Sequence, residues 1–157
     1  MSMDIEVIGL KEFDDAVESV RKTLVSEDML IECAEAVKGN LLKRTSEARD
    51  KDGAAFEPYS KEYKKARRSK GRSAELVDLR MSGEMLRDIS IKANGRAGEA
   101  VIYFENQESE KKALNLQETG TGKRKIKREF FELSEADAAE VLDSFTRHVD
   151  EVLKDAL

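Results

Sequence analysis

The chain has 157 residues, 39% of them apolar and 39% charged, with a formal net charge of −5. That length suits one ordinary domain, and the composition a modest core under a heavily charged surface. One cysteine, Cys33, and one histidine, His148, leave no disulfide framework, thiolate cluster or zinc site of the usual kind, so no cofactor or metal is expected.

No apolar run approaches the roughly 20 residues that span a bilayer, and the acidic start lacks the apolar stretch of a signal peptide. The expectation is a chain kept in a reducing cytoplasm with no membrane partner. Its charge is unevenly spread. Residues 1–35 hold ten acids and three bases, and residues 129–157 nine acids and two bases. Between them lie two basic runs, Lys61 to Arg72 and Lys123 to Arg128. Opposed patches of this kind fit a protein that meets complementary surfaces.

After a β-like start at Ile5 and Val7, Leu10, Phe13, Val17, Val20 and Leu24 recur at helical spacing among charged residues, an amphipathic helix. A second helix follows Ser26, with Leu30, Cys33, Ala34, Val37 and Leu41 on one stripe. It fades near Arg49, since Asp50-Lys51-Asp52-Gly53 is turn chemistry. Pro58 pushes Glu57 into an extended conformation, and Ser60 is placed to cap any helix after it. The basic stretch from Lys61 to Ser73 admits either a solvated helix or a mobile loop.

Leu76 to Leu79 is a short apolar run, and Ser82 offers an N-cap to a brief helix carrying Met85 and Leu86. Ile89, Ile91 and Ala93 alternate with polar residues, Asn94-Gly95 and Gly98 supply turn conformations, and Ala100 to Phe104 forms a second strand. This predicts an antiparallel hairpin. Residues 107–120 read as a short helix (Ala113, Leu114, Gln117) ended by Gly120. Residues 121–128 offer little to bury except Ile126, after which Phe130, Phe131 and Leu133 return to the core. Ser134-Glu135-Ala136-Asp137 is a capping box opening a last helix, with Ala138, Leu142, Phe145, Val149 and Val152 as its stripe.

Chemical motifs do not survive inspection. Gly120-Thr121-Gly122-Lys123 lacks the spacing of a phosphate loop, whose earlier glycine and following Ser or Thr are here Gln117 and Arg124. His148 has no marked nucleophile or orienting partner, and Cys33 falls on an apolar stripe, where it behaves as a small hydrophobe. The many carboxylates read as solvated helix faces. An unrecognised hydrolase would need a buried polar constellation that no motif announces, so the chain is read as a non-enzyme. The basic runs, with Tyr59 and Tyr63 beside the first, offer an alternative function as a cytosolic nucleic-acid-binding accessory protein.

From residue 52 to 131 the order of features resembles the virion morphogenesis proteins of tailed bacteriophages, a group of tail-completion and head–tail neck subunits. Asp52-Gly53-x-x-Phe56-x-Pro58-Tyr59-Ser60 is similar to that group's D-G-x-x-W/F-x-P-L/Y-S element. Val77-Asp78-Leu79-Arg80-x-Ser82-Gly83-x-Met85-Leu86 resembles its L-x-x-T/S-G-x-L step into a strand. Gln117-x-x-Gly120 resembles H-Q-x-G, and Ile126-Lys127-Arg128-Glu129-Phe130-Phe131 resembles I-P-x-R-x-F-F/L, although the histidine and proline of those patterns are missing here.

The resemblance implies one domain over residues 1–157, a structural ring subunit at the head–tail junction. Its partners would be the portal-side connector and tail-terminator proteins, with passing contact to DNA and assembly in the host cytoplasm before residence in the virion. The fold expected is α+β, a small antiparallel sheet flanked by two N-terminal helices and one C-terminal helix, with long mobile basic loops at about 61–75 and 106–128. The candidate interface comprises Phe56, Tyr59, Lys64, Lys65, Arg67 and Arg68 around the first basic run. Around the second it comprises Lys123, Arg124, Lys125, Lys127, Arg128, Phe130 and Phe131. Phe56 and Tyr59 would anchor the approach to the hairpin, and Phe130 and Phe131 the end of the second basic loop.

Overall fold

The computed structural model describes residues 10–156; the strand expected at Ile5 and Val7 lies outside them. The chain is α+β. Helices α1 (Leu10–Leu24) and α2 (Glu27–Ser46) are followed by α3 (Lys61–Ser69) and α4 (Glu84–Arg87). Then come strands β1 (Ile89–Asn94) and β2 (Glu99–Phe104), helix α5 (Gln107–Leu114) and the long α6 (Glu135–Ala156).

Helix α2 is central because it is apolar on two sides. The Ser26 hydroxyl accepts from the Met29 N–H at 3.2 Å, acids occupy the first turn, and Lys43 and Arg44 the last, each matching the helix dipole. Met29, Cys33, Ala34, Val37, Leu41 and Thr45 are buried between the hairpin and α6. Burial pushes the Cys33 thiol up, so it stays protonated and apolar in behaviour.

In the hairpin, Ile89 pairs with Phe104, Ile91 with Ile102 and Ala93 with Ala100, which places the apolar alternation of both strands on one face. Its tip seats against the start of α2. A Cβ on Gly95 would stand 3.3 Å from the Glu27 nitrogen, and Arg21 of α1 donates to the Arg96 carbonyl at 2.7 Å. Its base enters the core with Leu41, Phe56, Tyr59, Val77, Met85, Leu86, Ala113 and Phe130.

Several expectations are corrected. Of the two forms open to the basic stretch after Ser60, the chain takes the helix over Lys61–Ser69, with the Ser60 hydroxyl capping it as expected by accepting from the Tyr63 N–H at 3.2 Å. The cap of α4 is Gly83 at φ +83°, not Ser82, because the chain must reverse there through a left-handed conformation. Helix α5 widens after Leu114 into a π-turn over Asn115–Thr119 before Gly120 ends it. Leu133 stays exposed, since the chain bends after Phe131 so that Glu132 pairs with Lys51 and gives its carbonyl to Arg44.

The stripe of α6 is also rotated from the one expected. Asp137 is buried at its start, which turns Val141, Phe145, Val149 and Val152 toward the protein and leaves Ala138 exposed and Leu142 64% exposed. On α1, Val17 and Val20 are exposed as well.

Candidate functional site

An open cleft of about 980 Å³ lies beyond the hairpin base, bounded by the start of α3, the turn before α4, the α5 π-turn and residues 121–126. Tyr63, Leu79, Met81, Met85, Leu116 and Ile126 give it apolar walls, while Lys112, Lys123 and Arg124 stand among its lining as cations.

One wall is organised around a buried arginine. Helix α3 has few apolar residues, and Arg67, four positions after Tyr63, occupies its inward face at 1% exposure. Its Nε donates to the Ser73 carbonyl at 2.6 Å, Nη1 to the Arg80 carbonyl at 3.2 Å and Nη2 to the Asp78 carboxylate at 2.8 Å. A buried guanidinium is tolerable only when its charge and donors are met in this way.

Tyr59 completes that wall. Its hydroxyl oxygen accepts from the Leu79 N–H at 3.1 Å and from Arg67 Nη1 at 3.4 Å. The guanidinium carbons of Arg67 and Arg128 stand 4.7 and 5.3 Å from its ring centroid. Burial pushes the phenol up despite Arg67 and the Leu79 N–H, so Tyr59 stays neutral. Leu79 itself holds φ +55°, a left-handed conformation costly for a branched side chain, and its N–H is fixed by that hydroxyl.

The second wall hangs on Arg128. It donates to the Glu57 carbonyl at 2.9 Å and the Thr121 hydroxyl at 3.1 Å, while its own N–H donates to the Leu116 carbonyl at 2.7 Å. Burial moves its pKa down, but a guanidinium remains charged at any working pH. Gln117 clamps the next segment. Its Oε1 accepts from the Phe131 N–H at 2.9 Å and its Nε2 donates to the Phe131 carbonyl at 3.2 Å. Gly120 is required by contact: at φ +77°, a Cβ there would stand 2.2 Å from the Lys125 carbonyl oxygen.

The candidate interface residues therefore divide. Phe56, Tyr59, Arg67, Arg128 and Phe130 are buried inside the chain, so they shape the cleft and are not themselves a free docking surface. Phe131 is half-buried, tilted against Phe104 with ring centroids 4.7 Å apart. Lys64 and Arg68 both pair with Glu75, whose carboxyl they hold below the usual value, and Arg124 pairs with Glu57 at 2.7 Å. Lys65, Lys123, Lys125 and Lys127 are exposed and carry no ion pair among the described residues.

No family model, curated protein or solved structure matches the chain. Among the described residues no helix is long and apolar enough to cross a membrane, and no cluster of three or more His, Cys, Asp or Glu side chains is arranged to hold a metal.

Sequence reading missed Asp78 as the partner of Arg67, the buried pair of Arg44 and Asp137, and the clamp made by Gln117. The apolar residues of α3 did not mark its inward face, since Tyr63 and Ala66 are both exposed while Arg67 is buried.

Proposed function

We propose that this chain is a structural neck or tail-completion subunit of a tailed bacteriophage, working as one member of a ring that joins head to tail. The observation that carries this reading is that three of the four resembling elements line a single cleft and the fourth braces its wall. Tyr59 and Ser60 line it from the first element, Leu79, Ser82, Gly83 and Met85 from the second, and Ile126 and Arg128 from the last. The remaining element, Gln117-x-x-Gly120, secures the wall by clamping Phe131 and permitting the turn before residue 121. A cleft with apolar walls and cationic lining, braced by buried arginines, suits reception of a segment from a neighbouring ring subunit, connector or terminator.

The pairing of five of these bases within the chain, two of them buried, supports protein docking over nucleic-acid binding, while Lys65, Lys123, Lys125 and Lys127 stay exposed without an ion pair among the described residues. Arg67, Lys64, Arg68, Arg124 and Arg128 already satisfy internal acids, carbonyls or hydroxyls, and Tyr59 lies under two guanidinium groups, where no base can stack on it. Electron microscopy of particles made with this gene disrupted tests the proposal. Separate filled heads and finished tails are expected, rejoined when the intact gene is supplied. Normally joined particles would sink the reading, and binding to DNA that weakens steeply with salt would favour the alternative.

A further inference from the structure

We propose that the cleft receives a peptide segment of a neighbouring virion protein, one with a carboxylate side chain among apolar ones, and that this carboxylate is the counter-ion of Arg128. The site rests on the neck reading above for the identity of its partner, and adds the chemistry of the segment that the partner presents.

Three arginines point inward, and two of them meet a carboxylate. Arg44 pairs with Asp137 at 2.6 Å and Arg67 with Asp78 at 2.8 Å. Arg128 differs. It is 5% exposed and has no ion pair among the described residues. Its partners are the carbonyls of Glu57 and Pro58, the Thr121 hydroxyl and the face of the Tyr59 ring, all of them neutral. The Glu57 carboxylate is bonded instead to Arg124, at 2.7 Å. Buried charges are ordinarily paired, because neutral acceptors alone leave much of the desolvation cost of a guanidinium standing.

The cleft is where a counter-ion can arrive, since Arg128 is part of its lining. Lys112 and Lys123 line it too, both exposed and without an ion pair among the described residues. Against them stands one acid of the lining, Glu62, so with Arg124 balanced by Glu57 the cleft keeps an excess of positive charge. A phosphate would answer that charge as well, but the walls decide against a nucleic acid. Leu79, Met81, Met85, Leu116 and Ile126 offer nothing to a sugar–phosphate chain and suit aliphatic or aromatic side chains. At about 980 Å³ the cleft has room for several of them.

A library of short random peptides, screened against the full chain, tests the ligand class. The expected result is enrichment of Asp or Glu beside apolar residues, with Lys and Arg depleted. The tightest acidic peptide should bind about tenfold or more weakly once its acid is changed to the amide. It should weaken as much on Thr121→Asp, which supplies a carboxylate to Arg128 from within the chain, at the hydroxyl now 3.1 Å away. Lys123→Glu, at an exposed position, is the second variant should T121D lose its native circular dichroism.

No enrichment, enrichment without acids, or equal binding of the acid and amide peptides overturns the proposal. So does undiminished binding of the acidic peptide by both variants in folded form. Tighter binding of short duplex DNA than of any peptide overturns it too, assigning these cations to phosphates. The neck reading fails separately. Acidic peptides bound by a chain whose disruption leaves particles joined keep the ligand class and remove the neck role; lost joining without acidic enrichment does the reverse.

Discussion

The guanidinium of Arg44 meets the carboxylate of Asp137 at 2.6 Å, tying the last turn of α2 to the first turn of α6. Arg44 also donates to the Glu132 carbonyl, so one side chain holds α6 and the segment leaving the Phe130 core together. The Asp137 side chain is only 2% exposed, and removing its partner strands a buried charge. Arg44→Ala should therefore cost about 3–5 kcal/mol, read from urea unfolding followed by far-UV circular dichroism. A loss under about 1 kcal/mol would show that α6 is positioned by its apolar contacts alone.

The same carboxylate gives a pH dependence of definite sign. Burial pushes Asp137 up, but the Ser134 N–H, the Ser134 hydroxyl and Arg44 outweigh it and hold the carboxyl below its usual value. A group depressed on folding contributes fully above its unfolded value of about 3.9 and loses that contribution as pH falls through the folded value. The Tm of the native chain should fall below about pH 4 more steeply than that of Asp137→Asn, which starts lower at neutral pH. Parallel curves for the two proteins would assign the acid sensitivity elsewhere.

Gly120 governs the far wall of the cleft. The clash of an added Cβ would be with backbone, the Lys125 carbonyl carbon at 2.5 Å as well as its oxygen, so no side-chain rotation relieves it. The Thr121–Ile126 pairing, with N–H···O distances of 2.8 and 3.0 Å, should open in Gly120→Ala. The expected cost is about 2 kcal/mol or more, together with faster tryptic cleavage at Lys123, Arg124 and Lys125. Unchanged cleavage would mean that the turn re-forms around the methyl group.

Local rules account for much of this fold. The stripe from Cys33 to Leu41 is buried as its spacing predicts, the hairpin pairs in the register that aligns its apolar residues, and Ser134 and Asp137 form the reciprocal capping box. Long-range polar contacts were not legible in the same way. Arg128 is internal because the Glu57 carbonyl, 71 residues away, accepts from it, and no local pattern marks that acceptor. A run of bases reads as solvated until its partners are known. The cleft shares this character. The resembling elements named some of its lining residues, but only the folded chain brings residues 59, 79, 116 and 126 to one surface. The exposure of Val17 and Val20 is the converse case, since their helical spacing predicts burial and both stand exposed.

Tyr59 gives the sharpest test of whether the near wall is held by polar contacts or by packing. Its ring fills the core and its hydroxyl oxygen accepts from the Leu79 N–H and Arg67. Tyr59→Phe keeps the ring and removes that acceptor, leaving a buried donor unmet at a residue already held at φ +55°. The loss should be about 1–3 kcal/mol in urea unfolding, with faster hydrogen exchange of the Leu79 amide than of the amides in β1 and β2. Since Leu79 lines the cleft, the same substitution should also weaken whatever docks there while the Ile89–Phe104 hairpin stays protected. Equal loss of protection across the hairpin and residue 79 would instead show that the phenol supports the whole core through its ring, with its hydroxyl contributing little.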